Sequence, residues 1–316
     1  MLRSIPFALC VACALPAVAA TLRVGPGETY ARVADAARAA RDGDTVEIAA
    51  GEYRRDVAVW TQKRLTIRGL GSGAVLIADG ADAESKAIWV IRNGDFAVEN
   101  VEFRGARVPD LNGAGIRFEG GRLRVRNSRF FDNEMGILTG NDETSQIVVE
   151  GSEFAAPARQ RCGGDSIPHL LYVGRIARAE IVGSHFHDGW CGHLLKSRAA
   201  ETVVRDNRLD DGDKGEASYE LEFPNGGVAR VVGNTIAQSP LTQNPILIRY
   251  GAEGAHWRRN SLLLERNTLI DRRPRGGVFL ALSILAPKDV VARDNKLVGN
   301  GSFDPAYRLE SRLHQP

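Results

Sequence analysis

Val204-Arg205-Asp206-Asn207-Arg208-Leu209 is one unit of a repeat. Before it come Val98-Glu99-Asn100-Val101-Glu102-Phe103, Val125-Arg126-Asn127-Ser128-Arg129-Phe130, Val149-Glu150-Gly151-Ser152-Glu153-Phe154 and Ile181-Val182-Gly183-Ser184-His185-Phe186. After it come Val232-Gly233-Asn234-Thr235-Ile236, Leu264-Glu265-Arg266-Asn267-Thr268-Leu269 and Ala292-Arg293-Asp294-Asn295-Lys296-Leu297. The units recur every roughly 23 to 33 residues, the spacing of a solenoid with one coil per repeat and loops of varied length. Stacking the coils lines up Phe103, Phe130, Phe154, Phe186, Leu209, Ile236, Leu269 and Leu297 as an inner ladder. Two positions earlier, Asn207, Asn234, Asn267 and Asn295 fall in line, with Ser128, Ser152 and Ser184 above them. Side-chain amides repeated at a bend can satisfy the turn backbone of adjacent coils, so this row reads as structural.

Each unit is followed by a turn and a second strand, as in Gly115-Ile116-Arg117-Phe118, Met135-Gly136-Ile137-Leu138, His169-Leu170-Leu171-Tyr172-Val173 and Ile246-Leu247-Ile248-Arg249-Tyr250. Gly192-His193-Leu194-Leu195-Lys196-Ser197-Arg198 and Ser218-Tyr219-Glu220-Leu221-Glu222-Phe223 continue that series. Side chains alternate along a strand, so aligning Leu171, Leu195, Leu221 and Ile248 as core makes Tyr172, Lys196, Glu222 and Arg249 outward neighbours, one per coil, about 4.8 Å apart. The same alternation expects Glu220 beside Glu222 on the outer face.

The bulk properties exclude other classes. Forty-one basic and 39 acidic residues leave a formal net charge of +2, so no overall field draws the chain to nucleic acid, and any anion must meet a local patch. With 43% hydrophobic residues the chain can bury a large core. Met1-Leu2-Arg3, an apolar run from Ile5 to Leu15 and Pro16-Ala17-Val18-Ala19-Ala20 have the form of a secretory signal peptide. We therefore expect residues 1–20 to be removed, residues 21–316 to form one domain without a membrane span, and the mature protein to be periplasmic or secreted. Export would leave Cys162 and Cys191 as an even pair in an oxidising compartment, the setting for a disulfide. There is no Gly-x-Ser-x-Gly elbow, phosphate loop or dinucleotide fingerprint. Nothing in the sequence assigns an oligomeric state.

The N-terminal region carries Val24-Gly25-Pro26-Gly27, an Ala-rich helical segment with Val33, Ala36, Ala37 and Ala40 at helical spacing, Asp42-Gly43-Asp44-Thr45-Val46-Glu47-Ile48, Gly51-Glu52-Tyr53 and Leu65-Thr66-Ile67-Arg68-Gly69. This opening resembles the entry module of the pectate-lyase-like superfamily. The resemblance implies an all-β, right-handed parallel β-helix solenoid with a short N-terminal capping helix, and implies no single activity.

The charged outward row is the candidate site. Lys196, Arg198 and Arg249 suit the carboxylates of an acidic, uronate-containing polysaccharide, and Lys196 or Tyr172 is a candidate to take the neighbouring proton in a β-elimination. Tyr219, Tyr250 and His193 are candidate substrate contacts, and Tyr172 or Tyr219 a candidate proton donor. Glu220 and Glu222 admit three uses: orienting groups, a calcium-binding pair, or the acid and base of a glycosidase. No cofactor is required, and calcium is the one ion the pair would suit. Lys196-Ser197 resembles the lysine-serine element of the alginate lyase and chondroitinase B family, which implies a lysine base beside a calcium site. In that family the Glu-x-Glu pair precedes the lysine; here Glu220-Leu221-Glu222 follows it by a coil, and Arg249 would stand in for the family's arginine. The contrasting readings are a salt-bridge ladder, and a non-catalytic binding or structural solenoid of the cell envelope.

Overall fold

The structure is a computed structural model that describes residues 19–159, 167–285, 289–303 and 310–313. Nearly all of the expected signal peptide, Cys10 and Cys13 included, lies outside the described residues. So does Cys162, and with it the expected bridge to Cys191. The chain is an all-β parallel solenoid of about 10 turns, with every ladder between its strands parallel and one helix among the described residues. Among those residues, no helix is long and apolar enough to cross a membrane.

Each coil contributes to three walls. The first stacks strands such as Gln146–Glu150, Arg178–Val182, Glu201–Arg205 and Val228–Val232. The second stacks Arg129–Phe131, Glu153–Ala155, His185–His187, Arg208–Asp210 and Thr235–Gln238. The third stacks Met135–Thr139, His169–Val173, Leu195–Ser197, Leu221–Phe223, Ile246–Tyr250 and Val278–Leu282. In the sequence, Ala87-Ile88-Trp89-Val90-Ile91 precedes the unit at Val98. The structure runs both into one 13-residue strand, Ala87–Glu99, because Gly94 and Gly121 let neighbouring coils approach where any Cβ would strike backbone.

The corner between the first and second walls explains the repeat. In most coils one residue there takes a left-handed conformation, among them Asn127, Gly151, Gly183, Asp206 and Gly233, types that tolerate positive φ. The next residue turns its side chain inward. There Asn207 Nδ2 donates to Asn234 Oδ1 at 3.0 Å, Asn234 to Asn267 at 3.0 Å, and Asn267 to Asn295 at 2.9 Å. The Asn oxygens also accept the backbone N–H of the preceding coil's Asn, satisfying buried donors that no strand reaches. Two residues on, Phe103, Phe130, Phe154 and Phe186 stack nearly parallel, with centroids 5.1, 4.6 and 4.7 Å apart.

The helix Val33–Ala39 buries Val33, Ala34, Ala36 and Ala37 and packs against the strands Thr21–Val24 and Ala58–Trp60. Its N-terminal N–H groups have no intrahelical acceptor, and the Asp56 carboxylate takes those of Val33 at 2.6 Å and Ala34 at 3.0 Å. At the other end Gln62 Nε2 donates to the carbonyls of Ala37 and Ala40.

Candidate functional site

The third wall carries a continuous outward row: Val59, Val90, Arg117, Leu138, Tyr172, Lys196, Glu222, Arg249 and Ala281, each the register partner of the next. Tyr172, Lys196, Glu222 and Arg249 are thus vertical neighbours on the outside of the solenoid. The middle of the row is polar, and its contacts set the geometry.

Lys196 Nζ lies 3.2 Å from Glu222 Oε2 and 3.4 Å from Glu253 Oε1. On its other side Glu222 Oε2 is 2.9 Å from His193 Nε2. The Lys196 contact is an ion pair, and His193 brings a ring nitrogen to the same carboxylate oxygen. Burial pulls the Glu222 carboxyl upward, and His193 and Lys196 outweigh it, leaving the group below the usual carboxylate range. Burial pushes the His193 imidazole down, only partly offset by Glu222. His193 is a buried bracing group, its backbone N–H donating to His169 Nδ1 at 2.9 Å and its ring 4.8 Å from that of Tyr219.

Arg198 is the most heavily fixed cation. Its guanidinium donates to Tyr172 Oη at 2.8 Å, to Asn225 Oδ1 at 2.5 Å and to both Glu253 oxygens at 2.5 and 2.7 Å. Burial alone would lower its pKa, but Glu253 and Tyr172 more than reverse this, so it stays charged. Residues 251–260 reach back along the solenoid to make these contacts. Gly251 and Gly254 turn the loop at φ 78° and 83°, His256 Nε2 meets Glu143 Oε1 at 2.8 Å, and Trp257 Nε1 donates to the Arg198 carbonyl at 3.0 Å.

Beside the row opens a cleft of about 520 Å³, bordered by Arg117, His169, Tyr172, Lys196 and Arg198. Arg117 stands two coils from Tyr172 in the same row. Its Nε is buried without a partner among the described residues, and desolvation lowers its pKa. A guanidinium so placed invites an anion. Three cations and a phenol therefore share one open cavity.

Four sequence expectations need correction. Glu220 does not lie outside with Glu222: it is fully buried, in register one residue before Leu221 with the core residues Leu194 and Leu247. The chain bends at this corner, so two successive residues of each coil face inward and strict alternation fails. The charged groups influencing Glu220 are Asp211, Asp271 and Asp210, whereas Glu222 faces His193 and Lys196. The two carboxylates therefore do not form a calcium pair or an acid and base flanking one bond. Tyr250 is likewise core, packed near Phe223 with its hydroxyl donating to the Gly227 carbonyl. Arg249 does not extend the ion-pair row, because it donates to Ser283 Oγ at 2.8 Å.

Arg117, Glu253 and Asn225 were not among the sequence candidates. Alternation in Gly115-Ile116-Arg117-Phe118 could have placed Arg117 in the row. Glu253 comes from a loop 57 residues beyond Lys196, with no repeat signal to betray it.

No protein-family model matches the chain, and no curated protein matches it. Among solved structures, it resembles an alginate lyase from Paenibacillus sp. str. FPU-7, with 15% identity and a TM-score of 0.50 over 84% of this chain and 99% of that one. It also resembles a pectin methylesterase from Aspergillus niger, with 11% identity and a TM-score of 0.49 over 85% of this chain and 87% of that one. At such identity, the likeness establishes the parallel β-helix fold alone.

Proposed function

We propose that the protein is an exported right-handed parallel β-helix, with the helix Val33–Ala39 as its cap, that binds a uronate-containing polysaccharide in the cleft beside Lys196 and cleaves it by β-elimination. The observation that carries this reading is the convergence of Arg117, Lys196, Arg198 and Tyr172 on one open cavity. A uronate needs its carboxylate neutralised before the adjacent carbon can lose a proton, and Arg117 and Arg198 supply that charge. Lys196 is the base that takes the proton. The freed electron pair forms the ring double bond, the glycosidic oxygen departs, and Tyr172 protonates it. Glu253, Asn225 and Tyr172 hold the Arg198 guanidinium in place, while Glu222 braces Lys196 from below. Arg249 and Tyr219 flank the chemistry without joining it. That an alginate lyase shares this fold over nearly its whole length agrees with the reading. A Cys162–Cys191 disulfide belongs to the same proposal.

The test is a panel of uronic-acid polysaccharides followed by ultraviolet absorbance of unsaturated ends, with and without a chelator. We expect absorbance to rise on at least one polymer and Lys196→Ala to slow it about 100- to 10,000-fold. Retention of polymer without new ends would make the protein a binding solenoid, and reducing ends without absorbance would make it a hydrolase. Either result overturns the lyase reading.

A further inference from the structure

A second cluster of chemically competent side chains lies on the second wall, away from the cleft. His185 and His187 flank the inward-facing Phe186, so both imidazoles project outward, with centroids 4.3 Å apart and planes 26° from parallel. Glu153 is the register partner of His185 in the preceding coil. One ligand atom from each of the three lies within 4.8 Å of the others.

Both ring nitrogens of His187 face carboxylate oxygens. Its Nδ1 is 2.6 Å from Asp188 Oδ2, and its Nε2 is 3.1 Å from Glu153 Oε1. A neutral imidazole carries one N–H. In the tautomer whose N–H points to Asp188, the Nε2 lone pair faces Glu153 Oε1, and a metal cation seated between those two atoms would be held by both. Zinc bonds of about 2.0–2.2 Å at a tetrahedral angle put two ligand atoms about 3.3–3.6 Å apart, so the 3.1 Å between His187 Nε2 and Glu153 Oε1 needs to widen by only a few tenths of an ångström. A carboxylate on the far nitrogen of a ligating histidine is the usual way its tautomer is fixed.

We infer that Glu153, His185 and His187 form a binding site for one Zn2+ ion, oriented by Asp188 and with its fourth position open to solvent. Imidazole nitrogen selects a borderline cation over calcium or magnesium. The nearby cations are already engaged: Arg208, in register with His185, pairs with Asp210 at 2.9 Å, and Arg129, in register with Glu153, pairs with Glu102 at 2.7 Å. The two histidines are two residues apart in sequence, but the carboxylate comes from the preceding coil, so no linear ligand motif announces the set.

The experiment is calorimetric titration of the chelator-stripped full chain with Zn2+ near neutral pH, with any free thiols blocked. We expect one ion per chain and no competition from Ca2+. Binding should fall at least about 100-fold in the double variant His185→Ala/His187→Ala, and about 10-fold in Asp188→Asn. Both imidazoles are outside the core, so the double variant should keep the wild-type circular dichroism, and Glu153→Gln offers an isosteric second check. Absence of stoichiometric binding, or equal binding by the double variant, overturns the site. So does a proton NMR titration showing His187 as an imidazolium that added Zn2+ leaves unchanged.

Discussion

The inner face of the second wall and the outer face of the third use the same stacking geometry for opposite ends. On the second wall the stacked residue hardly changes from Phe103 to Phe186, and the rings lie within 9° of parallel. On the third wall the stacked residue changes at every coil, from Arg117 to Leu138, Tyr172, Lys196, Glu222 and Arg249. A repeated side chain gives each coil the same neighbour, so its contribution is to stability. A varied one brings different chemistries within reach of each other at the spacing between coils.

Mutation of the repeated rows should cost stability and leave the cleft intact. The largest effect is expected for Phe154→Ala. Its ring is fully buried between Phe130 and Phe186, and truncation leaves a void that coils held in register cannot close. We expect a loss of about 3–5 kcal/mol in urea unfolding, with polymer binding by the folded fraction unchanged. A loss below about 1 kcal/mol would mean the ladder does not bear the load assigned to it. Asn234→Ala should cost less, about 1–3 kcal/mol, by stranding the buried backbone N–H of Asn207 and the Val204 carbonyl. If Asn234→Ala instead weakened polymer retention at unchanged stability, the division between the two rows would fail.

These contrasts also mark what the sequence could tell. The ladder, the Asn row and the outward register of Tyr172, Lys196, Glu222 and Arg249 were legible because period-2 alternation and coil spacing are local rules. The corner before Leu221 was not legible, because two consecutive inward residues break alternation, and a glutamate there gives no warning of burial. The segment from Gly251 to Trp257 reads as lying near this flank, but its fold back onto Arg198 does not show in the sequence. Glu253 reaches Arg198 through a loop whose path depends on Gly251, Gly254 and the Glu143–His256 contact, none of which repeats.

Glu220 and Glu222 make the finest test, since two residues of one type, two positions apart, should respond to pH with opposite sign. Burial, then Asp211, Asp271 and Asp210, raise the Glu220 pKa well above its ordinary value. Its unfolded form therefore releases the proton first as pH rises. The stability it contributes is whole below the ordinary carboxylate range and is lost as pH climbs toward the folded value. Asp211, pushed up to about 7 chiefly by burial, acts in the same direction. Glu222 is held below its ordinary value, so its contribution is present at neutral pH and is lost as pH falls through the folded value. Glu220→Gln, which cannot ionise, should melt increasingly above wild type as pH rises from about 5 to about 8, the smallest of the three effects at the acid end. Glu222→Gln should melt below wild type at neutral pH and approach it in acid. Parallel melting curves for the two variants would mean that both carboxylates share one environment, and the inward bend at this corner would be wrong.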